Sequence, residues 1–293
     1  MSNLTSTIYN SWDPHEHIFG RSPSKEAIRR IRNDLRQIYS DPPQGIYVVQ
    51  DEILVTLLHA IIVGPFDTPY EGGFFYFVIN CPDNYPHAPP KVKLVTTGKG
   101  RVRFNPNLYA NGKVCLSILG TWSGPSWSEV HNLSSVLISI QSLMCEHPFL
   151  NEPGFEEHSN RLDINNYDDC IRHETLRIAV CDMLERKDST YTCMPDLLST
   201  TIKNLFPNFI GSYEIFCQDN MSKDGQAMID PFMTEPRGIY SYSRIFERIQ
   251  VLKTIHFSGG EEDEEKLEID VEPEAAEGAL EEPKLVGDQG QFI

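Results

Sequence analysis

The sequence predicts an α+β domain: an N-terminal helix, a four-stranded antiparallel meander sheet, then central and C-terminal helices with a helical C-terminal extension. Three observations carry this. A single amphipathic helix precedes any β-rich sequence, four β-rich runs follow it between turn residues, and helical spacing returns from Leu133 onward. The chain has 293 residues, 40% of them hydrophobic and 10% aromatic, which is enough to bury a core without disulfide staples.

Taken in order, residues 1–21 read as a flexible N-terminus. Ser22-Pro23-Ser24 then opens the first helix, with either serine able to cap it and Pro23 suited to a first turn. Ile28, Ile31, Leu35 and Ile38 fall on one helical face, and Arg29, Arg30, Arg32 and Arg36 on the other. Asp41-Pro42-Pro43 stops the helix because a proline ring cannot continue it. Strands are expected over Gly45–Val49, His59–Val63, Phe74–Asn80 and Lys91–Thr96, with Gly64-Pro65 and Glu71-Gly72-Gly73 as punctuation. Tyr85-Pro86-His87-Ala88-Pro89-Pro90 makes a proline-locked corner. Leu133, Val136, Leu137, Ile140, Leu143 and Met144 recur at helical spacing and predict a buried helix. Beyond Pro148–Gly154, an amphipathic helix is expected over about Asn166–Arg186, with others near Leu197–Asn204, Tyr213–Ser222 and Tyr240–Phe257. The expected organisation is therefore a core over 22–150, a helical extension over 151–258 and an acidic disordered tail over 259–293.

Charge and cysteine content narrow the function classes. The net charge is −17, and residues 259–293, with thirteen Asp/Glu and two Lys, supply −11 of it. Such a segment reads as a solvated arm. With no basic patch, nucleic-acid binding is disfavoured. Seven cysteines without a CxxC pair, and no apolar leader at the N-terminus, point to free thiols in a reducing compartment, cytoplasm or nucleus. The most apolar stretch, Ile53 to Val63, is interrupted by Thr56 and His59, so no membrane span is expected.

Phe104 to Leu119 is where chemistry concentrates. Cys115 lies eight residues after Asn107, the last residue of an Asn-Pro-Asn turn, and Asn111-Gly112 between them is a strong turn dipeptide. A nucleophile and an amide donor on irregular backbone suit acyl transfer through a thioester. A thiol of ordinary pKa is only about 3% thiolate at pH 7, yet thiolates are intrinsically strong nucleophiles. Asn107 can donate to the oxyanion that develops when an amine attacks, and it can equally hold its own turn. Cys81, Cys145, Cys170, Cys181, Cys193 and Cys217 read as small core residues. No metal-ligand spacing is present.

These residues, in order, carry a family resemblance. The first helix ending at Pro42-Pro43, Gly64-Pro65 with Thr68-Pro69-Tyr70-Glu71-Gly72-Gly73, the Tyr-Pro-x-x-Pro-Pro corner, Asn111-Gly112-Lys113-Val114-Cys115-Leu116, and Trp127 before the next helix resemble the catalytic domain of ubiquitin-conjugating enzymes over residues 24–150. The resemblance to a longer member of that family continues through Thr121–Ser128, Asn151–Glu156 and Asn166–Thr175 to about Phe257.

The resemblance implies that Cys115 is the thioester nucleophile, without an adjacent histidine base, and that Asn107 stabilises the oxyanion. It places Tyr109 and Glu152 near an attacking lysine, only about 0.04% of which is neutral at pH 7. It assigns Arg29 and Arg30 to the activating enzyme, and His87, Trp127, Ser128 and Glu129 to ligase-facing loops. Three positions depart from the common family pattern: Asn105 where histidine is usual, His87 where phenylalanine is, and Ser128-Glu129-Val130 where Ser-Pro-Ala follows the tryptophan. The implied partners are ubiquitin, with the tandem ubiquitin-like modifier UBD as a second cargo, an activating enzyme of the UBA-six type, and a ligase that the residues do not identify. No cofactor is implied, since ATP is used by the upstream activating enzyme, and the chain is expected to act as a monomer. A binding module without chemistry would lack the cysteine, and a cysteine hydrolase would show a Cys–His–Asn/Asp signature.

Overall fold

A computed structural model describes residues 12–17, 22–157, 160–186, 191 and 193–264, the last seven as backbone alone. Helix α1 spans Lys25–Ser40, and the Ser24 side chain accepts from the Ala27 N–H at 3.0 Å. It buries Ala27, Ile31, Leu35 and Ile38. It also buries Asp34, whose carboxylate takes Arg30 Nε at 2.8 Å, the Tyr85 hydroxyl at 2.5 Å and the Leu133 N–H at 3.2 Å.

Strands β1 (Ile46–Gln50), β2 (Leu57–Val63), β3 (Phe74–Asn80) and β4 (Lys91–Leu94) form one antiparallel sheet in chain order, the expected meander. The register pairs Ile61 with Tyr76 and Phe77 with Leu94. The turn after β2 is too tight for a side chain at Gly64, where a Cβ would lie 1.8 Å from the Tyr70 carbonyl oxygen.

All seven residues of β2 and all seven of β3 are buried. Alternate residues therefore feed two cores. Leu58, Ala60, Ile62, Phe75, Phe77 and Ile79 face α1 and helix α2, which spans Leu133–Ser142 and is capped by Asn132. Leu57, Ile61, Val63, Phe74, Tyr76 and Val78 face the extension. That extension is α3 (Arg161–Glu174), continued by π-helical turns over Thr175–Asp182, then α4 (Asp196–Leu205), α5 (Ile210–Asp219) and α6 (Tyr242–Glu264). It forms a third layer, bringing Val180, Leu198, Ile202, Phe206, Tyr213 and Ile245 against the sheet. The near-continuous apolar runs of β2, interrupted at His59, and of β3, up to Asn80, are the signal for a sheet covered on both faces.

Strand ends shift by one or two residues and α3 starts at Arg161, ahead of the expected start near Asn166; the larger differences lie towards the two ends of the chain. Within the N-terminal stretch expected to be loose, residues 14–17 form a 3₁₀ turn beside β3 and β4. Asn80 Nδ2 donates to the Pro14 carbonyl at 3.3 Å, and Lys93 Nζ meets Asp13 at 2.5 Å. At the other end, the helical backbone of α6 runs six residues into the acidic stretch, to Glu264. The rest of the predicted tail, 265–293, lies outside the described residues.

Candidate active site

The eight-residue spacing between Asn107 and Cys115 is a hairpin register. Leu108 bridges Val114, the Tyr109 N–H donates to the Lys113 carbonyl at 3.0 Å, and the Gly112 N–H closes a turn on the Tyr109 carbonyl at 2.9 Å. A turn ending in a left-handed glycine is a standard three-residue hairpin closure. Gly112 adopts φ +90, and a Cβ there would stand 2.5 Å from the Leu94 carbonyl oxygen. Asn107 and Cys115 are therefore cross-strand partners. The Cys115 N–H donates to the Asn107 carbonyl at 2.9 Å, and Asn107 Nδ2 donates to the Cys115 carbonyl at 3.0 Å.

A buried amide network holds this hairpin from inside. Asn105 is fully buried. Its Oδ1 accepts from the Asn107 N–H at 2.9 Å, while its Nδ2 donates to the Tyr70 hydroxyl at 3.0 Å and to the Leu143 carbonyl at 2.8 Å. The Tyr70 hydroxyl in turn donates to the Phe104 carbonyl at 2.7 Å, and Asn151 Nδ2 donates to the Leu143 carbonyl at 3.1 Å. An asparagine in place of the usual histidine thus saturates its buried partners through both ends of its amide.

Cys115 is 2% exposed, and burial pushes its thiol up, with Lys113 and then Arg103 pulling it back. Burial alone does not single it out. Cys170 is pushed up to about 11, and Cys181 and Cys217 up to about 12, by the same desolvation. What distinguishes Cys115 is the fixed amide opposite it. Among the described residues no histidine is hydrogen-bonded to its thiol; His131, the nearest in sequence, is held by Ser128. Cys193, expected in the core, is exposed instead, lining an open cavity with Tyr76, Val78 and Val95.

Tyr109 and Glu152 do come to this site, but through a residue the sequence reading passed over. Arg103 Nη2 donates to Glu152 Oε2 at 2.8 Å and to the Pro106 carbonyl at 2.6 Å, and its guanidinium carbon sits 4.6 Å from the Tyr109 ring centroid. Glu152 is therefore an ion-pair partner and not an unattached carboxylate. Arg103 lies on an irregular segment with no periodicity to mark it, and its partners come from three separate stretches of chain.

The expected binding residues sort differently. Arg29 is exposed beside Lys25, Arg32 and Arg36 along one groove of α1. Arg30 does not share that face. It holds Asp34 and donates to the Glu129 carbonyl at 2.9 Å and the His131 carbonyl at 2.6 Å, pinning α1 to the loop after Trp127. Trp127 is half-buried, its Nε1 donating to the Pro86 carbonyl at 2.7 Å and its ring against Tyr85 and His131. Ser128 and Glu129 are exposed. His87 Nδ1 meets Glu129 Oε1 at 2.7 Å, so two of the departures from the family pattern pair with each other. That bond, foremost, raises the His87 pKa, with Glu26 at 3.7 Å adding to it.

Among the described residues no group of three or more His, Cys, Asp or Glu side chains is placed to hold a metal ion. No described helix is long and apolar enough to cross a membrane.

Comparison with known proteins agrees with this geometry. The family model described as ubiquitin-conjugating enzyme matches residues 30–172, which carries the match past 150 through most of α3. The chain is 48% identical over 268 residues to the human ubiquitin-conjugating enzyme E2 Z, covering 90% of this chain and 73% of that protein. It is 51% identical over 252 residues to the Xenopus tropicalis protein of the same name, covering 85% and 78%. It is also 41% identical over 188 residues to the human dual E2 ubiquitin-conjugating enzyme/E3 ubiquitin-protein ligase BIRC6, covering 60% of this chain and 4% of that one. By its hairpin, its cysteine and these matches, the chain belongs to the ubiquitin-conjugating enzyme family, transferases that act through a thioester intermediate.

Proposed function

We propose that Cys115 accepts ubiquitin as a thioester from an activating enzyme and passes it to a substrate lysine. The observation that carries this reading is Asn107 Nδ2 at 3.0 Å from the Cys115 carbonyl. An amide nitrogen has two hydrogens. One is spent on that carbonyl, and the other is available to a thioester oxyanion beside Cys115.

In loading, the Cys115 thiolate attacks the carbonyl carbon held on the activating enzyme. A new C–S bond forms, the old one breaks, and the departing thiolate takes a proton from water. In transfer, a neutral lysine amine attacks. The C–N bond forms, the C–S bond breaks, Cys115 leaves as thiolate and the nitrogen gives its extra proton to water. Loss of one oxyanion donor typically costs about 2.7–4 kcal/mol, roughly 10²–10³ in rate. Tyr109 and the Arg103–Glu152 pair line the approach of that lysine.

The exposed basic groove of α1, with Arg29 and without Arg30, supports docking of an acidic surface of an activating enzyme, of the UBA-six type. The His87–Glu129 pair beside Trp127 and Ser128 supports a ligase surface unlike the common one. Ubiquitin is the primary cargo and the modifier UBD the second. The chain acts as a monomer, with ATP consumed upstream. Seven cysteines without a disulfide are consistent with work in the cytoplasm and nucleus.

The test is incubation with activating enzyme, ATP and modifier, followed by gels with and without reductant. A reductant-sensitive adduct absent in Cys115→Ala supports the reading, and no adduct with any activating enzyme removes it. Asn107→Ala should load and then discharge slowly onto lysine; equal discharge rates would take Asn107 out of the mechanism.

A further inference from the structure

The Pro106–Asn107 peptide is held at both ends. Its N–H donates to Asn105 Oδ1 at 2.9 Å, and its carbonyl accepts from Arg103 Nη2 at 2.6 Å. A peptide unit is planar, so two such bonds fix the tilt of the whole plane. The Asn107 side chain leaves from the next atom along, and the direction of its amide follows that tilt. Asn105 belongs to the catalytic core. Arg103 answers to the extension.

Arg103 is held by a loop of residues 225–240. That loop is closed by the Met228 N–H on the Gly238 carbonyl at 2.9 Å and the Tyr240 N–H on the Gln226 carbonyl at 3.0 Å. Asp230, 3% exposed, locks its tip: Oδ1 accepts from the Phe232 N–H at 2.9 Å, and Oδ2 meets Arg237 Nη2 at 2.6 Å. The lock presents two groups to Arg103. Arg237 Nη2 also donates to the Arg103 carbonyl at 3.2 Å, and the Phe232 ring lies 5.8 Å from the Arg103 guanidinium carbon. Phe232 is itself immobilised, stacked on Phe149 at 4.8 Å and set edge-on to Tyr167 at 5.2 Å. The guanidinium thus contacts one ring from the extension and another, Tyr109, from the active-site hairpin. Cation–ring contacts of this kind hold an arginine while leaving its N–H groups for carbonyl and carboxylate.

We propose that the 225–240 loop is a positioning element for the transfer step, acting through Arg103 on the Pro106–Asn107 peptide. The extension then does more than cover the sheet. It sets the tilt of the amide that meets the oxyanion, and Arg103 is the positioning residue through which it acts. This rests on Asn107 serving transfer, as proposed above.

The test is single-turnover discharge of the preformed Cys115–ubiquitin thioester of the full chain onto free lysine, over a range of lysine concentrations. Arg103→Gln should lower the maximal rate about tenfold, short of the roughly 10²-fold loss that a misplacement of about 1 Å brings. The lysine concentration giving half the maximal rate is read on Phe232→Leu, which leaves the Arg103–Glu152 pair in place, and should not move there. Phe232→Leu, which keeps apolar volume and removes the ring, should slow the same step in the same way; thermal melting confirms that both variants are folded. In an Asn107→Ala background neither change should slow discharge further. Wild-type discharge by Arg103→Gln while Asn107→Ala is slow overturns the inference and leaves the role of Asn107 standing. An equal further loss in the Asn107→Ala background also overturns it, since Arg103 would then act elsewhere. Wild-type discharge by Asn107→Ala overturns both.

Discussion

Tyr70→Phe removes a single oxygen from the buried network behind the active site. The ring stays where it is, fully buried and edge-on to Phe75 at 5.8 Å. Two partners lose their bond. The Phe104 carbonyl was the acceptor at 2.7 Å, and one N–H of the Asn105 amide was the donor at 3.0 Å. The other N–H of that amide keeps the Leu143 carbonyl at 2.8 Å, so only half of Asn105 is orphaned. A buried polar group stripped of its partner costs about 1–3 kcal/mol. With two such groups, the expected loss is about 2–6 kcal/mol. The void left is smaller than the space a water needs, so solvent does not repair it. The assay is urea denaturation followed by circular dichroism. The midpoint should fall with an unchanged m-value, the mark of lost native stability. Because Asn105 also receives the Asn107 N–H, the folded fraction should discharge lysine more slowly than wild type. A stability loss below about 0.5 kcal/mol would falsify the claim that these bonds are made and needed.

Three further outcomes are expected. With its thiol pushed above the ordinary value by burial, Cys115 has a thiolate fraction that rises about tenfold per pH unit below its pKa. Alkylation at Cys115, followed by peptide mass spectrometry, should therefore keep accelerating from pH 7 past pH 8.5; a plateau below pH 8 contradicts the burial argument. Arg29→Glu should slow loading at low salt with little change in melting temperature, whereas Arg30→Glu should lower the melting temperature, since it leaves Asp34, 3% exposed, facing a like charge; equal melting temperatures would contradict the placement of Arg30. The His87 imidazole should titrate above its ordinary value by NMR, the pairing being present below the ordinary imidazole pKa and lost as pH rises through the raised one. Glu129→Gln should bring that titration down, and an unmoved titration means that the 2.7 Å contact is not its cause.

The two surfaces differ in how residues reach them. Asn107 and Cys115 meet through backbone pairing over eight residues, whereas His87 meets Glu129 across 42 residues and Arg103 meets Glu152 across 49. Short-range geometry is written in turn residues. Asn111-Gly112 marks a turn, and the three-residue loop 110–112 sets the register that puts Asn107 opposite Cys115; a two-residue Asn-Gly turn would have put it opposite Leu116. No local rule says which distant groups an arginine will find: Arg103 meets Glu152 from 49 residues away, and Arg30, whose pairing with Asp34 is local, also reaches the Glu129 and His131 carbonyls.

Strand order shows the same division. The meander and the limits of α1 and α2 were legible because alternation, helical period, caps and prolines act within a few residues. The near-continuous apolar runs of β2 and β3, broken at His59, carry the signal for a covered second face, but the residues that cover it, among them Val180, Leu198 and Ile245, come from the extension. The sequence by itself determined the order of elements and the eight-residue spacing between Asn107 and the candidate nucleophile Cys115, since each is a matter of short-range chain order. Only the tertiary structure decided that Glu152 is spent on Arg103, that Arg30 braces a loop, and that the extension reaches the active-site turn. Each of these depends on where distant segments pack once the sheet has buried both of its faces.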